Sequence, residues 1–252
     1  MIKGFFFDQD GVIIDTERDG HRVAFNRTFE EFGYDVEWDA ETYHQLLQIS
    51  GGKERMRHHL HEKGFGKPVA ADEEEELIKS LHKRKTDLFI ELIESGSLPL
   101  RPGIRRFMKE VNDLGLVMGI CTTSNERAAT AIAYNILSDI RFDFVLAGDV
   151  VKKKKPDPEI YLLALEKCGL RAKECIVIED SHNGVKAAKA AGMFVVATTN
   201  PYTEREDLGQ ADLVVNCLGD IDGEKGTLTR STRELSFDGV LRAQELIDCF
   251  SS

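Results

Sequence analysis

The sequence offers no C-x-x-C pair, no apolar stretch approaching the roughly 18 residues that cross a bilayer, and fewer cations than acids. Each shortage removes a class of function. The five cysteines, Cys121, Cys168, Cys175, Cys217 and Cys249, are odd in number, and Cys121 and Cys175 fall in strand-like apolar runs. They read as small buried hydrophobes of a reducing compartment, not as a disulfide framework. The opening segment, Met1 to Phe7, is too short for a signal sequence. The expectation is a soluble cytoplasmic protein with no membrane partner, or one of the plastid stroma in a photosynthetic eukaryote. Asn26-Arg27-Thr28 matches a glycosylation acceptor but lies in a helical pattern, and is read as chance. Lys plus Arg total 33 against 44 Asp plus Glu, a formal net charge of -11. Affinity for a phosphate backbone comes mainly from clustered cations, so a general nucleic-acid binder is excluded. A small phosphorylated substrate is not, because a metal and a few local cations reverse the field inside a cleft.

What the chain does have, from about residue 100 onward, is strand alternating with helix. Leu116 to Cys121, Phe144 to Ala147, Cys175 to Ile178, Phe194 to Ala197 and Leu213 to Val215 are apolar runs of strand length. Gly115, Gly169 and Gly192 stand where intervening helices should stop, and Asp157-Pro158 reads as a helix start. Such alternation implies a parallel sheet with right-handed crossovers. The fold class is therefore α/β, a doubly wound, Rossmann-like parallel sheet. Residues 17–95 differ, because their apolar positions recur at helical spacing: Val23, Ala24, Phe25, Phe29 and Phe32; Tyr43, Leu46 and Leu47; then Leu77, Ile78, Leu81, Leu88, Phe89 and Leu92. The acids Glu73 to Glu76 should open the longest helix, at the positive end of its dipole. The expected organisation is a core of residues 1–16 and 96–252 interrupted by a helical cap of residues 17–95.

Three short segments follow apolar runs, Asp8-Gln9-Asp10-Gly11, Thr122-Thr123-Ser124 and Glu179-Asp180, and a fourth, Lys155-Pro156, follows a basic loop, each where a buried strand should end. An open parallel sheet gathers the carboxyl ends of its strands along one edge, where ligands bind. These side chains should therefore meet around one phosphoryl group. Asp8 is the expected nucleophile, because attack by a carboxylate splits one hard displacement into two easier ones. Asp10 is the expected general acid and base. Thr122 supplies a hydroxyl and Thr123 an N–H to phosphoryl oxygens, while Lys155 neutralises the nucleophile. Asp8, Glu179, Asp180 and the Asp10 carbonyl are hard oxygen ligands suited to Mg²⁺. Alone, Asp-x-Asp-Gly is more often a turn and Thr-Thr-Ser a helix cap. Lys152 to Lys155 alone would be a solvated loop, and Glu179-Asp180 would cap the next helix; the joint placement carries the reading. Lys152, Lys153 and Lys154 read as a solvated face. In the cap, Lys53 follows the glycines Gly51 and Gly52, whose exposed N–H groups favour an anion. With Ser124 and Asn125 it would hold a second phosphate, with Glu17, Tyr43 and His21 near sugar hydroxyls. Tyr43 packing the cap, and Arg55 in a surface ion pair, are the structural alternatives.

The four core segments, in this order, resemble the haloacid dehalogenase superfamily from Met1 to about Val215, and the helical insert is similar to its α-helical cap subfamily. Asp8, Asp10, Thr122, Lys155, Glu179 and Asp180 fall on that superfamily's catalytic positions. The second acid, Asp10, implies phosphatase or phosphomutase chemistry, since dehalogenases proper lack it. Asp15-Thr16-Glu17, His21-Arg22-Val23-Ala24-Phe25-Asn26, Gly51-Gly52-Lys53-Glu54-Arg55, Leu100-Arg101-Pro102-Gly103-Ile104 and Tyr202-Thr203-Glu204-Arg205-Glu206-Asp207 look like CbbY-type sugar-bisphosphate phosphatases. That resemblance implies a monomeric Mg²⁺ enzyme whose partner is a small sugar phosphate such as xylulose 1,5-bisphosphate. One departure is Lys154, where relatives often carry Gly, which should alter loop shape only. A β-phosphoglucomutase-like transfer would use the same Asp8 and Asp10, and a phosphoglycolate or sugar-monophosphate phosphatase also fits. A receiver-like phospho-aspartate binding module fits less well, because its accepting Asp does not lie on the first strand. Nothing in the resemblance covers residues 220–252.

Overall fold

A computed structural model describes residues 1–47, 49, 51–96 and 98–251. Strand β1 (Gly4–Phe7) is followed by helices α1 (Arg22–Glu31), α2 (Ala40–Leu46), α3 (Gly52–Lys63) and α4 (Glu74–Glu94). Next come α5 (Ile104–Asp113), β2 (Val117–Cys121), α6 (Glu126–Ala131), β3 (Phe144–Leu146), α7 (Glu159–Cys168) and β4 (Cys175–Glu179). The chain closes with α8 (His182–Ala190), β5 (Phe194–Thr198), β6 (Leu213–Val215), β7 (Leu228–Ser231) and α9 (Ala243–Ser251). It divides into two compact units, Met1–Asp15 with Pro99–Ser252, and Thr16–Leu98. Those breaks lie one to three residues from the expected ones, because the segments flanking the insert pair with each other. Ile14 bridges Leu100, and the Arg101 N–H donates to the Ile13 carbonyl at 2.9 Å.

The larger unit is a doubly wound α/β domain with strand order β3-β2-β1-β4-β5-β6-β7. Strands β1 to β6 pair in parallel, and β7 joins β6 antiparallel. A parallel sheet is covered on both faces, so its central strands must be apolar throughout. The run Phe5-Phe6-Phe7 in β1 satisfies this by alternation. Phe5 and Phe7 pack edge-on against Phe107 of α5, with ring centroids 5.4 and 6.1 Å apart, while Phe6 meets Phe144 on the other face. Ile104, Phe107, Met108 and Val111 of α5 recur at i, i+3, i+4 and i+7, the stripe a helix lays on a sheet. The opposite layer is built from α7 and α8.

Two elements have no counterpart in the sequence reading. β7 is exposed along most of its length, so no apolar run marks it. Helix α9 docks through Phe250, whose ring lies 4.7 Å from that of Phe194. The expected start of α7 also shifts: Pro158 is the cap, and the Asp157 carboxylate accepts from the Glu159 N–H at 3.1 Å.

The smaller unit contains no strand among the described residues. Its core is aromatic: Trp38 lies between Phe25 and Phe29, with centroid distances of 4.7 and 5.1 Å. The Trp38 indole N–H, fully buried, donates to His59 Nδ1 at 3.0 Å. Phe32, expected in the helical stripe, instead ends α1 and is 39% exposed. Helix α4 is the longest, opening on Glu74, Glu75 and Glu76 as the dipole favours. Among the described residues no helix is long and apolar enough to cross a membrane.

Gln9 is an outlier in this packing. It is fully buried beneath the turn after β1, yet neither its amide oxygen nor its amide nitrogen has a partner among the described residues. An unpaired buried amide costs about 1–3 kcal/mol. Methionine has similar length and no polar group to satisfy. Gln9→Met is therefore expected to raise stability by roughly 1–2 kcal/mol, read as a higher midpoint in urea unfolding. An unchanged or lower midpoint would show that the amide is satisfied.

Candidate active site

The turn after β1 begins where the Asp8 N–H donates to the Ile178 carbonyl at 2.9 Å, the last rung between β1 and β4. The Gln9 carbonyl then gathers the N–H groups of Val12, Ile13 and Ile14 at 3.3, 2.9 and 3.4 Å. Gly11 adopts φ +77°, and a Cβ there would meet the Asn200 amide at 2.7 Å and run into the Asp180 carboxylate. Glycine is needed at this position on both counts.

This turn presents Asp8 and Asp10 differently. Asp8 is buried, and its Oδ1 accepts from Lys155 Nζ at 2.5 Å. Lys155 spends its other two protons on Glu179 Oε1 at 2.5 Å and on the Cys121 carbonyl at 3.0 Å. The loop carrying Lys155 is pinned by Glu159, whose two carboxylate oxygens accept the Lys152 and Lys153 N–H groups, both at 2.9 Å. Lys152, Lys153 and Lys154 are exposed. The Lys154 ammonium folds back onto the Gly148 carbonyl and Asp149, so this departure shapes the loop. Asp10 is half-buried and accepts a hydrogen bond from Ser124 Oγ.

Asp8, Glu179 and Asp180 each bring a carboxylate oxygen within 4.8 Å of the others. Among the described residues, three buried carboxylates against one contacting ammonium leave an excess of negative charge. Burial, then Asp8 and Glu179, push the Asp180 carboxyl well above its ordinary value. Burial also pushes Asp8 up, to about 7, against the pull of Lys155. Burial opposes the charge on Lys155, but Asp8 and Glu179 outweigh it and hold the ammonium above its usual range. All three groups bind protons more tightly than usual, the two carboxyls first through burial and then through their like-charged neighbours, Lys155 through its two carboxylate partners, and the cluster is short of positive charge. A divalent cation bound by hard oxygens meets that need, so the donor set fits one. Asp180 is steadied by the Asn200 amide, which donates to its Oδ2 at 2.8 Å. Glu179 Oε1 is occupied by Lys155 and by the Tyr161 hydroxyl, each at 2.5 Å. It is therefore a supporting group more than a free ligand.

Thr122 directly follows β2, its N–H donating to the Leu146 carbonyl at 2.9 Å and its hydroxyl accepting from the Ser124 N–H at 3.1 Å. Thr123 is exposed. Ser124, read as a donor to a second phosphate, gives its hydroxyl to Asp10 here. The Asn125 amide oxygen caps α6, accepting from Arg127 N at 2.9 Å and Ala128 N at 3.4 Å, which leaves the amide NH₂ outside the cap.

Within the smaller unit, Lys53 sits in the first turn of α3 and is half-buried. Gly51 has φ +95°, and a Cβ on Gly52 would meet the His82 ring at 2.9 Å, so both glycines are required. Tyr43 is fully buried against Phe25 and Trp38, and its hydroxyl donates to Glu17 Oε2 at 2.5 Å. Tyr43 thus packs the unit, the structural alternative, and its hydroxyl orients Glu17. Arg55 Nε donates to the Ile49 carbonyl at 2.9 Å, not to a surface acid. His21 stacks on Phe89 and meets Lys85 Nζ at 2.8 Å, and burial, then Lys85, lower its pKa.

Three residues at the sheet edge escaped the sequence reading: Tyr161, Asn200 and Arg101. Arg101 lies in the quoted Leu100-Arg101-Pro102-Gly103 segment and is buried. Its guanidinium donates to the Gly11 carbonyl, to the Thr199 carbonyl at 2.5 Å and to the Asn216 carbonyl at 2.7 Å, and pairs with Asp15 at 3.2 Å. It bolts the nucleophile turn to the ends of β5 and β6. Asn200-Pro201 follows β5, and that position at the carboxyl edge was the available signal.

A buried Asp, a lysine, an acidic pair and a helical insert after the first strand define a phosphoryl-handling hydrolase fold. The chain belongs to the haloacid dehalogenase-like hydrolases, whose family model matches residues 2–192. It is 47% identical over 97% of its length to a CBBY-like protein of Arabidopsis thaliana, of which the match covers 76%. It is 36% identical over 90% of its length to protein CbbY of Cereibacter sphaeroides, covering 96% of that protein. Among solved structures it is similar to a mutant of CbbY from Rhodobacter sphaeroides in complex with xylulose-(1,5)bisphosphate. That likeness has a TM-score of 0.70 and 35% identity, covering 88% of this chain and 97% of that one.

Proposed function

We propose that this protein is a Mg²⁺-dependent phosphatase that hydrolyses a small sugar phosphate, a ketose bisphosphate such as xylulose 1,5-bisphosphate. The observation that carries the reading is the Asp8 carboxylate held by Lys155 at 2.5 Å, with Asp180 beside it and Asp10 on the same turn. The similarity to CbbY supports the choice of substrate.

Asp8 attacks phosphorus, the bond from phosphorus to the sugar oxygen breaks, and Asp10 gives its proton to that oxygen. Asp10 then takes a proton from water as the water attacks the aspartyl-phosphate. Phosphate leaves and the Asp8 carboxylate returns. Thr122 and the Thr123 N–H orient the phosphoryl oxygens, and Lys155 neutralises charge on the nucleophile. Asp8, Asp180 and the Asp10 carbonyl would hold the cation, with Glu179 supporting them. When bound, it supplies neutralisation of the phosphoryl oxygens. Within the smaller unit, Lys53 and Gly52 are assigned to the second, non-reacting phosphate and Glu17 to the sugar. Asn125 is kept as a phosphate donor, and Ser124 is assigned to Asp10.

The test is phosphate release with Mg²⁺ across ketose and aldose mono- and bisphosphates, with isomerised sugar phosphate assayed beside it. Release of free phosphate from a ketose bisphosphate is expected. Isomerisation without release would make the protein a mutase. Lys53→Met should raise KM for bisphosphates roughly ten- to hundredfold, the worth of a charged hydrogen bond, and leave monophosphates nearly unchanged. Equal loss on both would remove Lys53 from the second-phosphate role.

A further inference from the structure

We propose that Tyr161 is a positioning residue of this site: its hydroxyl fixes Glu179 so that the Lys155 ammonium is held on Asp8. The inference rests on the phosphatase reading for its kinetic consequence, though not for its geometry.

Glu179 is fully buried, so every lone pair it satisfies must be met by protein. Its Oε2 takes the Asp180 N–H at 3.2 Å and the Ser181 hydroxyl at 3.4 Å. Its Oε1 takes two donors, Lys155 Nζ and the Tyr161 hydroxyl, each at 2.5 Å. Gly184 of α8 closes the remaining side, where a Cβ would overlap the carboxylate. The three protons of Lys155 are likewise all assigned, to Asp8, Glu179 and the Cys121 carbonyl. The ammonium is thus shared between two carboxylates at equal distance. How it is shared depends on what else Glu179 Oε1 binds.

Tyr161 supplies that second partner. It projects from α7, six positions after Lys155, and is fully buried, so no bulk water can replace its hydroxyl. Without the hydroxyl, Lys155 would be the sole partner of Glu179 Oε1 and would be drawn toward it, lengthening its contact with Asp8. The ring acts too: Lys155 Nζ lies 5.1 Å from its centroid, within cation–π range, which backs the ammonium against the carboxylates. An O–H···O⁻ bond of this length belongs to the strong class. Its loss should reach the nucleophile through the shared ammonium, not through substrate contacts.

Tyr161→Phe keeps the ring and removes the hydroxyl. Two measurements on the full chain decide the matter. In steady-state kinetics with Mg²⁺ and the best substrate of the screen above, kcat should fall roughly tenfold, a charged hydrogen bond's worth in part, with KM within twofold. Combined with Glu179→Gln, the Phe substitution should cost nothing further, because the hydroxyl acts only through that carboxylate. In a crystal structure of Tyr161→Phe, Lys155 should remain on Glu179 and move beyond hydrogen-bond distance from Asp8. Unchanged kcat, or losses that add in the double variant, would overturn the proposal, as would a Lys155–Asp8 contact kept at its present length. The crystal structure reads the positioning whatever the enzyme hydrolyses. A wild-type protein that releases no phosphate would therefore count against the phosphatase reading and leave this one to be judged on geometry.

Discussion

Asp8→Asn is expected to abolish phosphate release, with turnover falling by roughly 10⁴-fold or more, the scale on which removal of a nucleophile acts. The change is isosteric, and the Asn oxygen can still accept from Lys155, so the fold should persist. Stability should move the opposite way from activity. Asp8 is buried among like charges, and its carboxyl is pushed from 3.8 up to about 7. A group whose folded pKa is raised stabilises fully below its unfolded value, and that contribution is lost as pH rises through the folded one. Metal-free wild type should therefore lose stability between pH 3.8 and about 7 in a way the Asn variant does not. Thermal melts in chelator should show the variant more stable at neutral pH, with the difference closing as pH falls toward 4. A less stable variant at neutral pH would mean that the Asp8–Lys155 attraction outweighs the desolvation.

Lys155→Met is expected to cost both stability and turnover. Among the described residues the ammonium is the one cation in direct contact with Asp8 and Glu179, each at 2.5 Å, and its side chain is 8% exposed. Forming a buried ion pair brings little net stability, because desolvation consumes the Coulombic gain. Removing one partner is costly, about 3–5 kcal/mol, because the other charges stay buried. Here two carboxylates are stranded, so the upper end of that range is expected. Turnover should drop roughly 10³-fold, as for loss of a preorganised charge at a reacting centre. Calorimetry and phosphate release, measured together, check both. Adding Glu179→Met should restore part of the melting temperature and none of the activity. Recovery of activity would show that Lys155 serves only to balance Glu179.

The parts of this site legible in the sequence are those fixed by strand ends. Phe5-Phe6-Phe7 and Cys175-Ile176-Val177-Ile178 are apolar at every position because both faces of the sheet are covered, and the residue after such a run must lie at the carboxyl edge. That logic places Asp8, Thr122 and the Glu179-Asp180 pair from the sequence alone. It fails where a side chain reaches the edge from elsewhere. Tyr161 belongs to a helix whose apolar stripe gives no hint that one member ends in a hydroxyl against Glu179. Arg101 looks like a surface cation until its carbonyl partners are seen. The strand β7 was invisible because a sheet-edge strand with an exposed face carries no apolar signature. Ser124 shows a further limit: nothing in the sequence indicates that its hydroxyl meets Asp10. For Tyr43 the sequence leaves sugar contact and cap packing both open, and its packing against Phe25 and Trp38 is visible only in three dimensions.

The most direct test of the central claim is the mass of the chain quenched in acid during turnover with Mg²⁺ and a ketose bisphosphate, followed by digestion. A single phosphoryl group on the peptide containing Asp8, released by hydroxylamine and missing in Asp8→Asn, is the result expected. Phosphate released at full rate with no phosphoryl group ever trapped on that peptide, or one trapped on a different residue, would contradict it.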